Sequence, residues 1–308
     1  MILCCGEALI DMISAPTADG GKGYVPHVGG AVFNTAIALG RQGVATGMLT
    51  GLSGDIFGQQ LDDALTASGV DTRHVVRSAR PTTLAFVTLS SGQASYLFYD
   101  ENSASRSLTP GDIPPLAASV DALYFGGISL ACEPGAETYA DLLRRHGPTR
   151  AVMLDPNIRP DFVQDEPRYR ARLARMIKQS DVLKLSDEDL DWLSPGSETD
   201  EVKARAMLTK GPAAVIITRG GDGASGYLAD DATIDVPSEK VDIVDTVGAG
   251  DTFNAGVLTS FAHDGLLTKS AIRGLNRQQL ATAMAYGARV AAITVSRTGA
   301  NPPWPDEM

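Results

Sequence analysis

Short apolar runs alternate with amphipathic stretches along most of the chain. Residues 45–49, 122–125, 151–154, 182–185 and 213–218 are apolar runs of strand length. Between them, residues 33–42, 59–68, 135–145, 167–179 and 198–209 repeat apolar positions at helical spacing. This alternation predicts an α/β fold: a mostly parallel central sheet flanked by helices in three layers. Ligands of such sheets bind beyond the carboxyl ends of the strands. The loops near Gly29, Asp155, Gly220 and Asp245 all follow or separate strands, where that rule wants them.

Two regions break the alternation. Residues 12–28 and 75–100 carry β-prone segments, such as 84–89 and 95–99, with no helix between them. They predict a small antiparallel β lid projecting from the main body. The lid strands, from about 12–28 and 75–105, are interleaved with the body, so residues 1–308 read as a single domain.

The densest chemistry lies at residues 245–253, Asp-Thr-Val-Gly-Ala-Gly-Asp-Thr-Phe. An apolar, β-branched run at 241–244 predicts a strand leading in. Phe253, Val257, Leu258 and Phe261 predict a helix leading out. Gly248 and Gly250 let the backbone turn where a Cβ would clash. Free N–H groups at a helix start attract an anion. A carboxylate there, Asp251, fits a proton acceptor beside a held phosphoryl group. That pairing points to transfer from a nucleotide to an alcohol. Taken alone, the same turn is equally an ordinary capped helix.

Composition narrows the classes. The chain has 308 residues, 44% hydrophobic, with net charge −11. It can bury a large core, and the lack of a Lys/Arg cluster argues against nucleic acid as a partner. Cys4, Cys5 and Cys132 make an odd count, expected as buried thiols in a reducing compartment. No basic leader and no apolar run of about 18 residues is present, so a cytoplasmic protein without a membrane partner is expected. Residues 221–226 fit G-x-G-x-x-G, but the following segment reads as strand, turn, strand, whereas a dinucleotide fingerprint opens a helix. No G-x-x-x-x-G-K-[ST] loop occurs, and His27, His74, His146 and His263 have no metal-ligand spacing.

Two more motifs complete the pattern. Gly6-Glu7-Ala8-Leu9-Ile10-Asp11 ends in a carboxylate after the first strand. Gly29-Gly30-Ala31-Val32-Phe33-Asn34 opens a helix with an amide about one turn in. Singly, each is only a strand end or a loop-to-helix entry. Together with 245–253, and over essentially the whole chain, they resemble the ribokinase-like (PfkB) carbohydrate kinases, bacterial fructokinases above all. The resemblance implies an ATP-dependent sugar kinase with Asp251 as general base. Gly248, Ala249 and Gly250 would offer N–H groups to the transferring phosphoryl. Asp11, Gly29, Gly30 and Asn34, with Arg159, would bind the sugar. Lys184, Ser186, Thr218, Gly220 and Gly223 match the nucleotide side. Ser186 and Asp189 stand where the family has Asn and Glu, and Asp189 would reach Mg²⁺ through water. Asp245, the carbonyl of Val247 and the Gly299 region match in outline a monovalent-cation (K⁺) site. Members often form homodimers through the lid, so a homodimer is expected.

Residues 125–130 and 155–160 resemble fructokinases, and where ribokinases place a sugar-binding glutamate this chain has Gly, Ile and Ser. The nearest rival is 2-keto-3-deoxygluconate kinase. Its acid substrate needs a cation, while the lid here reads Phe98-Tyr99-Asp100-Glu101-Asn102. Arg159 and Arg106 remain as anion binders for that rival. A sugar-phosphate kinase would want more basic residues in the lid. A non-catalytic sugar-binding relative would be expected to lack Asp251.

Overall fold

The computed structural model of the protein describes residues 1–90, 93–230 and 233–308, with side chains outside 87–96. The chain runs β1 (Ile2–Cys5), β2 (Leu9–Pro16), β3 (Lys22–Gly29), α1 (Ala31–Arg41), β4 (Thr46–Leu49), β5 (Gly51–Ser53) and α2 (Ile56–Ala67). It continues through β6 (Val76–Ser78), β7 (Leu84–Ser90), β8 (Gln93–Tyr99), β9 (Ala122–Gly126), α3 (Gly135–His146), β10 (Ala151–Asp155) and α4 (Glu166–Ile177). Then come β11 (Val182–Ser186), α5 (Asp187–Leu193), α6 (Asp200–Leu208), β12 (Ala214–Thr218), β13 (Ala224–Leu228) and β14 (Thr233–Val236). Helices α7 (Ala249–His263), α8 (Lys269–Arg273) and α9 (Arg277–Val295) complete it.

The central sheet has eight strands in the order β14-β13-β12-β11-β10-β9-β1-β4. Strands from β4 to β12 pair in parallel, and β13 and β14 add an antiparallel edge. Strands β1, β4 and β9–β12 are buried on both faces, which is why they read as unbroken apolar runs. Side chains alternate between two cores. Ile2, Cys4, Met48, Tyr124 and Met153 pack with α1, α2, α7 and α9. Leu3, Cys5, Leu49, Leu123 and Phe125 pack against α3 and α4 on the other side. The adjacent thiols of Cys4 and Cys5 therefore enter opposite cores, and burial pushes both well above the ordinary thiol range.

The order reverses at β1, whose neighbours β4 and β9 lie on opposite sides in the sheet and later in the chain. Such a reversal opens a crevice at the carboxyl ends of the strands. The loops after β1, β9, β10 and β11 all emerge there.

The lid is a four-stranded sheet in the order β3-β2-β7-β8. It consists of two antiparallel hairpins joined by parallel pairing of β2 with β7. Residues 75–78, expected in the lid, instead lead into β6, which pairs with β5. Helix α2 begins earlier than its apolar period indicates, because Asp55 caps it by accepting from the Gly58 amide at 2.7 Å. A further difference concerns 241–244. This run forms no strand; Val241, Ile243 and Val244 lie on the surface. Residues 224–228 and 233–236 do form paired antiparallel strands at the sheet edge, as expected of a segment unlike a dinucleotide fingerprint, and the expected turn between them includes residues 231–232, outside the described residues.

Candidate active site

A cleft of about 350 Å³ lies between the lid and the strand ends. It brings together Asp11, Gly30, Asn34, Arg159, Val247, Gly248, Ala249, Gly250 and Asp251, residues spread over the full chain. Asp11 enters from β2. A Cβ on Gly29 would overlap its carboxylate, so Gly29 serves by making room rather than by lining the cleft. Burial pushes the Asp11 carboxyl up to about 6, and no side chain among the described residues pairs with it. Gly30 takes φ +109, a conformation that favours glycine, as the chain turns into α1. One turn later the Asn34 amide donates to Asp251 Oδ2 at 2.9 Å.

Asp251 sits in the first turn of α7 and is only 7% exposed. Gly248 precedes it in the left-handed region at φ +78 and offers no side-chain cap. The Ala249 amide donates to the Thr246 carbonyl at 3.3 Å, while those of Gly250 and Asp251, in the first turn where no intrahelical acceptor precedes them, stand at a helix start of the kind that holds an anion. Burial pushes the Asp251 carboxyl up to about 7, the Asn34 amide pulls it down, and the nearby Asp155 adds to the rise. A carboxylate that takes up a proton near neutrality is suited to general-base work.

A buried polar group supports this floor. Lys184 Nζ donates to Asp155 Oδ2 at 3.0 Å. Asn254 Nδ2 reaches the same oxygen at 2.7 Å and the Tyr124 hydroxyl at 3.0 Å. A Cβ on Gly250 would stand 3.3 Å from the Lys184 ammonium, so glycine lets α7 start directly over that charge. Burial works against the ammonium, but Asp155 and Asp189 outweigh it and hold its pKa above the usual value. Asn254 lies one turn beyond Asp251, inside an apolar-looking helix, and nothing in the sequence marked it.

The remaining expected residues lie around the cleft rather than in it. Ser186 caps α5, and its hydroxyl accepts from the Asp189 amide at 3.0 Å. Asp189 completes the capping box through the Ser186 amide at 3.1 Å, and its other oxygen takes the Ile158 amide at 2.8 Å. Asp189 is thus a bracing carboxylate with both oxygens engaged. Thr218, at the end of β12, donates weakly to the Leu185 carbonyl at 3.4 Å. Gly220 at φ +50 and Gly223 at φ +90 shape the turn that follows, and a Cβ on Gly220 would meet only open space. Asp245 clasps its own loop: its oxygens accept from the Val247 amide at 3.0 Å and the Gly299 amide at 2.9 Å. Arg106 is held outside the cleft by Asp100 at 2.7 Å and the Glu133 carbonyl at 2.9 Å. Arg159, by contrast, lines the cleft, and among the described residues its guanidinium bonds only the Ile158 carbonyl, at 3.0 Å.

Several lining residues received no role from the sequence, although most lie in the motifs quoted above. Glu7, Phe98, Ile128, Asn157, Phe162 and Thr246 all border the cleft. Phe98 and Phe162 meet edge to face with centroids 4.0 Å apart. Asn157 holds a positive φ of 45° in the Asp155-Pro156-Asn157 turn, a strained position that singles it out only once the backbone is known.

Comparison with known proteins places this arrangement. The family described as pfkB family carbohydrate kinase matches residues 1–307. A fructokinase of Rhizobium leguminosarum bv. trifolii is 51% identical over 280 residues, covering 91% of this chain and 85% of that protein. Among solved structures, fructokinase from Xylella fastidiosa with bound ATP superposes with a TM-score of 0.88 at 30% identity, covering 97% of this chain and 93% of that one. Aminoimidazole riboside kinase from Salmonella enterica, complexed with its riboside and an ATP analogue, gives 0.84 at 25% identity over 99% and 97%.

Proposed function

The chain belongs to the pfkB family of carbohydrate kinases, and from that membership we propose that it is an ATP-dependent fructokinase with Asp251 as general base. One observation carries the mechanism: a buried carboxylate with its pKa at about 7 stands at the open start of α7, in a cleft of sugar size. The sugar hydroxyl gives its proton to Asp251 as its oxygen bonds to the γ-phosphorus. The bond from that phosphorus to the bridging oxygen breaks, and ADP leaves. Asp11 and Asn34 orient the acceptor, and the amides of Gly248, Ala249 and Gly250 receive the charge of the moving phosphoryl group. Lys184, anchored by Asp155, sets a positive charge beneath those amides.

ATP enters along the surface formed by Ser186, Thr218, Gly220 and Gly223. No group of three acid, His or Cys side chains suited to a metal occurs among the described residues. Mg²⁺ would therefore ride on the nucleotide phosphates, neutralising their charge, with Asp189 reaching it only through water. A K⁺ ion would use the second lone pairs of Asp245 and the Val247 carbonyl. The lid face bearing Tyr24, Val28, Leu97 and Tyr99 is exposed and apolar, and Tyr24 and Tyr99 flank the Phe86 ring. We assign that face to a homodimer, and a sedimentation mass of one chain would overturn the assignment.

The test is ATP-dependent phosphorylation of fructose, ribose, 2-keto-3-deoxygluconate, adenosine and fructose 6-phosphate, with Mg²⁺ and with or without K⁺. Turnover restricted to fructose is expected. Arg159 supports one second reading, an acid sugar held by its guanidinium, which makes no ion pair among the described residues. Preferred turnover of the keto-acid would establish that reading and refute fructose.

A further inference from the structure

Glu7 belongs to the Gly6–Asp11 motif, yet the reaction as described leaves it without a role. It follows β1 at the point where the sheet order reverses, and it is 3% exposed. Its Oε1 accepts from the Ala31 amide at 2.9 Å. Its Oε2 accepts from the Ser129 amide at 3.2 Å. Ala31 is the first residue of α1, and Gly30 at the N-cap has no side chain to cap it. Glu7 supplies the missing cap from another strand. Ser129 belongs to the turn after β9, whose neighbour Ile128 lines the opposite wall of the cleft. A Cβ on Gly127 would overlap the Glu7 carboxylate, and one on Gly30 would lie 3.0 Å from the Glu7 carbonyl. Two glycines at positive φ therefore accommodate this one side chain.

We propose that Glu7 is a positioning residue of the sugar kinase reaction, which holds the Gly30–Asn34 segment against the 127–129 turn and keeps a negative charge beside the base. The first part follows from the two amides, which join the cleft walls through one carboxylate. The second follows from placement. Glu7 from the loop after β1 and Asn34 from α1 line the same cleft as Asp251, and beneath it lies the bonded group of Tyr124 from β9, Asp155 from β10 and Lys184 from β11, joined through Asn254 of α7. Burial, Asp155 and Glu7 favour the protonated base, while Asn34 and Lys184 favour the ionised one. Glu7 itself is held above the ordinary carboxyl range by burial, against the pull of the amides it binds.

The inference rests on the kinase reading, so it is tested on whichever sugar the wild-type enzyme phosphorylates in the panel. Failure on fructose then bears on the substrate and not on Glu7. Glu7→Gln keeps the shape but turns one amide group toward a backbone N–H. The sugar KM should rise about tenfold, the effect of one buried donor left unpaired, while the ATP KM stays within about twofold. The acid limb of kcat/KM should move to lower pH, because a negative charge near Asp251 is gone. A brace with no part in catalysis would lower Tm and leave both readouts unmoved, and that result overturns the proposal. Glu7→Asp provides a second measurement if the Gln variant does not fold. It retains the charge but falls short of one amide, so the sugar KM should rise with the acid limb in place. A wild-type sugar KM in Glu7→Asp would equally overturn the assignment.

Discussion

Asp251→Asn should make the enzyme slower and more stable at once. The side chain keeps its size, and its amide oxygen can still accept from Asn34 Nδ2, which now stands 2.9 Å from Asp251 Oδ2. What disappears is the proton acceptor, and kcat should fall by about 10²–10⁴ with sugar affinity nearly retained. The stability change follows from linkage. Burial raises the carboxyl from 3.8 to about 7 in the folded protein. Between those values the unfolded chain has released the proton that the native chain retains, so wild-type stability falls as pH rises through that window. Above pH 7 both states are ionised and the penalty is complete. Three pKa units correspond to about 4 kcal/mol. Asn carries no such penalty, so its stabilisation should be small near pH 4, grow to about pH 7 and then level off. Coupled-assay turnover and urea unfolding at several pH values measure both effects. Turnover within tenfold of wild type would refute the base assignment. A stability gain independent of pH would refute its electrostatic origin.

Other substitutions separate the parts of the site. Asn34→Ala removes a donor to the base and should raise the sugar KM while moving the acid limb of kcat/KM to higher pH; an unmoved limb would show that the 2.9 Å bond does not act on Asp251. Asp11→Ala should raise the sugar KM by tenfold or more with the ATP KM unchanged in steady-state kinetics, since each unpaired hydroxyl costs about 1–3 kcal/mol. Gly248→Ala places a Cβ 2.6 Å from that of Ala300 at φ +78, so the loop must shift and kcat should drop at least about tenfold. At the opposite end of the sheet, Asp181 binds Lys269 at 2.8 Å, Arg273 at 3.2 Å and the Val152 amide at 2.9 Å. Asp181→Ala should lower stability by about 3 kcal/mol in denaturant melts and leave kcat and both KM values alone.

Much of this architecture is legible from periodicity because its strands are buried on both faces, which fixes their composition. The same logic misreads 241–244. A β-branched run looks alike whether its partner is a sheet or nothing, and only the neighbouring elements decide. The motif residues Asp11, Gly30, Asn34 and Asp251 are found through the family resemblance of their motifs, since singly each reads only as a strand or helix-entry position. Asp189 shows the limit of that method. Its acidity is visible, but the Ile158 amide that occupies it arrives from 31 residues away. Glu7, Asn254 and Phe162 are invisible for the same reason: their partners come from other elements, 24 to 122 residues off for Glu7.

The strand order explains why these distant groups must meet. Because β1 lies between β4 and β9, the loop after it opens beside those after β9 and β10, and Glu7 comes to face the Asp155 side of the crevice. Helix α7 then starts over the same floor, bringing Asp251 in as a further carboxylate around one cation, Lys184. Burial raises the proton affinity of Asp251 most, Asp155 and Glu7 add to the rise, and Asn34 and the Lys184 ammonium offset only part of it. Among the cleft-lining carboxylates, Glu7 has both oxygens taken by the Ala31 and Ser129 amides, and Asp251 stands at the start of α7. Raised proton affinity at the base is in this sense a consequence of the topology, and substitutions at Glu7 and Asn34 should move it in opposite directions.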